Sequence, residues 1–214
     1  MSLLEIFSHS STVLLIVNSI LYSKYLKAKD AAYKYFAVYL ILMAINQTLV
    51  TIYFELEIDN TFLANTYMIL QFIMLSLFYF EIFKQQERRK GILIALFTLL
   101  IILGVQYIRT PDLFLNYNTF GILATSSVLI FYSIVYFFYH IGDKELKLYL
   151  VNSGILIYLL GTILLFSIAK VGLKLAREIE VALWILNAFI YLVFQVIITT
   201  QWFVDRKRKK NIKN

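Results

Sequence analysis

Residues 181–210 read VALWILNAFIYLVFQVIITTQWFVDRKRKK. The first 23 of these residues carry no charge, and the last five are all basic. A hydrocarbon core about 30 Å thick is crossed by about 20 apolar residues in a helix. The stretch from Val181 to Phe203 therefore predicts a membrane-spanning helix. The RKRKK cluster beyond Trp202 stops it, because lysine and arginine stay at headgroup level, where anionic lipids attract them.

Six further apolar stretches lie toward the N-terminus, at 4–23, 36–54, 62–83, 91–108, 117–139 and 148–169. The joints between them are short and hold nearly all the charge: SKYLKAKDAAYK at 24–35, ELEIDN at 55–60, KQQERRK at 84–90, IRTPD at 108–112, HIGDKELK at 140–147 and KVGLKLAREIE at 170–180. Composition agrees: hydrophobic residues make up 61% of the 214 and charged residues 15%, against about 45–50% and about 25% in soluble domains. The expected fold is an all-α integral membrane protein, a seven-transmembrane-helix bundle forming one domain over 1–214, with 204–214 as a basic tail. No joint exceeds 12 residues, so no soluble domain is expected between spans. The first span leads with Glu5, lacks a basic preceding segment and shows no small-residue cleavage site before Lys24. It reads as a retained helix and not as a secretory signal.

Basic residues near span ends are retained on the cytoplasmic side. With the N-terminus outside, Lys24, Lys27, Lys29, Lys34, Lys84, Arg88, Arg89, Lys90, Lys144, Lys147 and the six from Arg206 to Lys213 fall inside, 16 of the 20. Only Arg109, Lys170, Lys174 and Arg177 fall outside. The expected topology is N-terminus outside, C-terminus cytoplasmic, in the plasma (inner) membrane. The net charge of +7 is then a topology signal. Anionic headgroups at the cytoplasmic face, and not nucleic acid, are the expected partners of the basic clusters, which flank apolar spans directly.

Counting excludes several chemistries. There is no cysteine, and the only histidines are His9 and His140, so Cys-ligated metal sites, thiol nucleophiles and three-His zinc sites cannot be built. No lysine lies in 181–203 to carry a retinal Schiff base, no aspartate lies within any of the seven stretches, and neither HExxH nor GxSxG occurs. Neither catalytic residues, nor a metal site, nor a cofactor is expected. Proline occurs once, at Pro111, and the few intraspan glycines do not pair up as helix breaks. Broken helices of the transporter kind are therefore not expected. Gly154 and Gly161 mark the expected close helix contact.

Charge at membrane depth is costly, so intramembrane polar residues are where function is sought. Here they are amides and hydroxyls, among them Asn18, Asn46, Gln47, Asn65, Gln71, Asn152, Thr162, Asn187 and Gln195. A turn centred near residue 58 sets Asn46 and Gln71 at equal depth, and a turn near 174 or 175 sets Thr162 opposite Asn187. Steps of three and four string Trp184, Asn187, Tyr191 and Gln195 along one helix face, a stripe that should face protein. Asn46, Gln47, Tyr67, Gln71, Trp184, Asn187, Tyr191 and Gln195 form the candidate ligand-binding set, with Tyr67, Tyr191 and Trp184 as aromatic walls. The competing reading makes the same amides interhelical hydrogen bonds that fix register.

Three charged features invite weaker readings. Glu5 and His9 stand one turn apart near a span end. His140 follows Tyr132, Tyr136 and Tyr139 as the end of an aromatic belt, and Glu81 is placed to pair with Lys84 or Lys147. The expected function is a seven-helix receptor or sensor module, without enzyme activity, that binds a small or lipophilic ligand and signals to a separate cytoplasmic or membrane protein. A small-solute transporter is the first alternative, and an accessory subunit of a membrane complex the second.

Overall fold

A computed structural model of the chain describes residues 2–28, 30–140, 148–171 and 177–211. The described residues form eight α-helices and one 3₁₀ turn: α1 (Leu3–Ser23), the turn at Lys24–Lys27, α2 (Ala31–Glu55), α3 (Thr61–Ile82), α4 (Gln86–Arg109), the short α5 (Asp112–Leu115), α6 (Thr119–Tyr139), α7 (Tyr149–Val171) and α8 (Arg177–Asn211). All but α5 are long and apolar enough to cross a membrane, seven in all. The last candidate span runs from Glu178 to Arg208, past the expected end at Phe203, and so takes in Asp205. At 1.5 Å per residue the 35 residues of α8 extend about 52 Å, well beyond a hydrocarbon core.

Local chemistry explains the helix ends. Ser2 and Glu5 form a reciprocal cap at the start of α1: the Ser2 amide donates to Glu5 Oε2 at 3.0 Å and the Glu5 amide to Ser2 Oγ at 3.3 Å. Asp30 caps α2 by accepting from the Ala32 amide at 3.1 Å. α2 ends with Glu57 in the left-handed region (φ 55°). The Ile58 amide donates to the Tyr53 carbonyl and the Glu57 amide to that of Phe54, a helix stop usually given to glycine.

Contacts divide the chain into two compact units: the first combines 1–22 with 130–214, and the second is 23–129. In the second unit α2 and α3 pack antiparallel through rings, with Phe36 5.5 Å from Phe78 and Tyr53 5.6 Å from Phe62. Gly121, at the start of α6, lies so close that an added Cβ would come within 2.8 Å of Met68 Sδ and 3.0 Å of Leu103.

In the first unit α7 and α8 are antiparallel, and the expected small-residue seam is present. A Cβ on Gly154 would come within 2.9 Å of Phe194, and one on Gly161 within 2.7 Å of Ile190. Farther along, the Leu150 amide donates to Gln201 Oε1 at 3.1 Å. This register sets Thr162 level with Phe189, about half a turn from Asn187 where the loop arithmetic placed it. α1 runs parallel to α8, with Phe7 beside Phe189 and Tyr22 donating to the Ile198 carbonyl at 3.1 Å.

Candidate functional site

The eight candidate residues divide between the two units: Asn46, Gln47, Tyr67 and Gln71 in the second, and Trp184, Asn187, Tyr191 and Gln195 in the first.

In the second unit, Gln71 is buried on α3. Its Nε2 donates to the phenol oxygens of Tyr39 at 3.3 Å and Tyr67 at 3.4 Å. Both distances lie beyond the usual 2.9–3.0 Å for N–H···O. Tyr67 stands one turn before Gln71 on the same helix, whereas Tyr39 reaches it from α2. Sequence reasoning missed Tyr39, which looked like one aromatic among many near the start of α2. Asn46 is buried on α2 and Gln47 is half-buried. The Gln71 cluster with Tyr39 and Tyr67 is uncharged and offers amide and phenol donors and acceptors.

Another network in this unit closes the connection between α4 and α6. Asn65 Nδ2 lies 2.7 Å from the Asn116 carbonyl, 2.8 Å from that of Phe114 and 3.3 Å from that of Leu113. Its Oδ1 accepts from the Asn118 amide at 3.2 Å. Asn118 donates to Gln106 Oε1 at 3.0 Å and accepts from the Gly121 amide at 2.9 Å. Backbone groups in a non-helical stretch need such partners when buried. Nearby, the amide and hydroxyl of Thr61, at 2.9 and 2.7 Å, hold the Asp59 carboxyl below the usual range. Burial, and then the Asp59 charge, push the Tyr117 phenol above its ordinary value.

In the first unit the stripe on α8 is graded. Trp184 is 38% exposed, Asn187 is half-buried, and Tyr191 and Gln195 are buried. Gln195 is held by Asn18 of α1, whose Nδ2 donates to Gln195 Oε1 at 3.0 Å and to the Gln195 carbonyl at 2.9 Å. Thr199 completes the cluster by donating to Asn18 Oδ1 at 2.8 Å. Tyr191 joins Tyr158 at 5.3 Å, and Tyr158 stacks on Phe194 at 5.2 Å and 4°. Thr162 returns its hydroxyl to the Tyr158 carbonyl at 2.9 Å. Asn152 of α7 is tied to α6, its Nδ2 donating to the Ser133 carbonyl at 3.2 Å.

The charged features also find definite places. Glu81 pairs with Arg89 at 3.4 Å; the expectation of Lys84 is not met, because α4 carries Arg89 back over α3, and Lys147 lies outside the described residues. His140 Nδ1 sits 2.8 Å from the Tyr136 carbonyl, its ring 4.5 Å from that of Tyr136, as the end of an aromatic belt. Asp205, buried near the end of α8, accepts from Gln201 Nε2 at 2.6 Å. Gln201 thus links the first turn of α7 to a buried carboxylate, a role its polar sequence context did not suggest. The charged joint at 170–180 falls partly on 172–176, outside the described residues.

No family model, curated protein or solved structure matches this chain.

Proposed function

We propose that this chain is a receptor or sensor module of the plasma (inner) membrane, N-terminus outside and C-terminus cytoplasmic. In this reading it binds a small or lipophilic ligand and signals to a separate protein through its basic joints and tail. The observation that carries the reading is the Gln71 group. Its amide is held between two phenols by hydrogen bonds of 3.3 and 3.4 Å. Bonds of that length are weak, so a ligand carbonyl or hydroxyl replaces them at small cost while the surrounding rings supply apolar contact. The amide pair of Asn18 and Gln195, at 2.9 and 3.0 Å, is better suited to fixing helix register. Unbroken spans such as α2, with 25 residues, and α4, with 24, favour small helix shifts over the broken-helix mechanism of many transporters.

The test is native mass spectrometry of the protein released gently from its own membranes, comparing wild type with Gln71→Leu. A small molecule that accompanies the wild type and is lost from the variant, with the melting temperature nearly unchanged, supports the reading. Solute uptake by proteoliposomes containing the purified protein alone would make transport the primary role. A stoichiometric protein partner, with no small molecule sensitive to Gln71, would point to the accessory-subunit alternative.

A further inference from the structure

We infer that the corner between α3 and α4 is a seat for the headgroup of an anionic phospholipid, with Arg89 and Lys90 gripping the phosphate and the exposed face of α4 receiving an acyl chain. The cations here are positioned by their surroundings. The Arg89 guanidinium lies 4.0 Å from the centre of the Phe80 ring, and its Nη2 lies 3.4 Å from Glu81 Oε1. The Arg88 guanidinium lies 5.8 Å from the Phe83 ring. An arginine held by ring stacking and one carboxylate oxygen has already lost much of its rotamer freedom, and its remaining N–H groups suit a phosphate. Its side chain keeps 37% of its surface exposed, and Lys90 beside it is exposed.

Depth places these cations with headgroups. The 24 residues of α4 span about 36 Å against a hydrocarbon core of about 30 Å. The first residues of α4, where Arg88, Arg89 and Lys90 outnumber the exposed Glu87, precede the uncharged run that opens at Gly91 and therefore stand in the phosphate layer. Below Lys90, at steps of four, three and four, Ile94, Phe97 and Ile101 form one exposed apolar line, 67%, 59% and 65% accessible. A charged head above a continuous greasy line is the shape of a phospholipid and not of a free phosphate. Each surface cation contributes about 1 kcal/mol of attraction to anionic lipid, so the pair predicts a selectivity of about 30-fold.

The experiment reconstitutes the protein in nanodiscs of phosphatidylcholine with a minority of phosphatidylglycerol and counts, by native mass spectrometry, the lipids retained per protein. The Arg89→Gln/Lys90→Gln variant is expected to lose about 30-fold in preference for phosphatidylglycerol. The Lys207→Gln/Arg208→Gln variant, with the same charge removed elsewhere, is expected to keep it. Equal losses in both variants would show diffuse surface charge, and no loss in either would show no site; each result overturns the inference. If leaving Glu81 without Arg89 prevents folding, Arg88→Gln/Lys90→Gln retains that ion pair and carries a loss of the same direction. Excess inorganic phosphate should leave the retained lipid in place, and displacement by it would mark a free-anion site and overturn the assignment to lipid.

Discussion

Asn18 and Gln195 lie 177 residues apart in sequence, yet Asn18 Nδ2 donates both to the side-chain oxygen of Gln195, at 3.0 Å, and to its backbone carbonyl, at 2.9 Å. α1 is thereby keyed to α8 at one depth and one rotation. The second bond is the more telling, because it holds the α8 backbone itself, and the same carbonyl lies 2.9 Å from Thr199 Oγ1, whose proton goes to Asn18 Oδ1. A polar cluster with no charge stabilises helix association without the cost of burying an ion.

Replacing Asn18 by Leu removes these donors together with the acceptor for Thr199. Interhelical hydrogen bonds in lipid contribute about 0.6 and at most about 1.7 kcal/mol each, so Asn18→Leu should destabilise the protein by about 1–2 kcal/mol in thermal unfolding. A double-mutant cycle with Gln195→Leu should show coupling of about 1 kcal/mol. Strictly additive losses would mean that the two amides do not act on each other.

The glycine seam should respond unevenly to alanine. At Gly161 the new Cβ meets the terminal Cδ1 of Ile190, which a rotamer change moves aside, whereas at Gly154 it meets the ring of Phe194, which is stacked on Tyr158. Gly154→Ala is expected to cost about 2–3 kcal/mol and Gly161→Ala about 1 kcal/mol. Gly104→Ala meets nothing within 4 Å and should stabilise by up to about 1 kcal/mol through helix propensity. Melting temperatures of the three variants give the ranking, and a reversed order would refute the packing argument.

Asn65 should tolerate neither loss nor reversal of its donor. Asn65→Ala leaves the carbonyls of Phe114 and Asn116 without their amide partner and should cost about 2–3 kcal/mol. Hydrogen exchange should quicken at the Asn118 amide, which donates to Asn65 Oδ1. Asn65→Asp turns a carboxylate oxygen toward those carbonyls and should cost more at neutral pH than at low pH, where the protonated acid can donate again. A pH-independent cost would contradict this geometry.

Asp59 and Tyr117 predict opposite pH effects. The bonds from Thr61 lower the Asp59 pKa, so its contribution to stability is present above the unfolded value and is lost as pH falls through the folded one. The raised Tyr117 pKa gives a contribution that is complete below the unfolded tyrosine value and is lost as pH rises through the folded one. In Asp59→Asn, Tyr117 should ionise at lower pH than in the wild type but still above free tyrosine, since burial is the larger cause. Ultraviolet titration of phenolate, with Tyr117→Phe to assign the signal, measures this directly.

How much could be seen beforehand follows from what each feature depends on. Seven apolar helices, a close contact at Gly154 and Gly161, and a His140 ending an aromatic belt were all legible, because transfer into lipid and the room beside a missing Cβ depend on composition and local spacing. The partners of the polar residues were not. Sliding α7 by half a turn against α8 leaves every hydropathy window unchanged but sets Thr162 beside Phe189 in place of Asn187. Rotation about the axes of α2 and α3 likewise decides that Gln71 meets Tyr39. The continuation of α8 past Phe203 was hidden for a related reason: a charged residue ends a span in any linear reading, whereas here the Gln201 amide, one turn earlier on α8 and itself tied to the first turn of α7, donates to the buried Asp205 carboxylate. The amino-acid order settles which segments leave water, since that is a sum over residues; which side chains then meet depends on packing across helices, which no such sum contains.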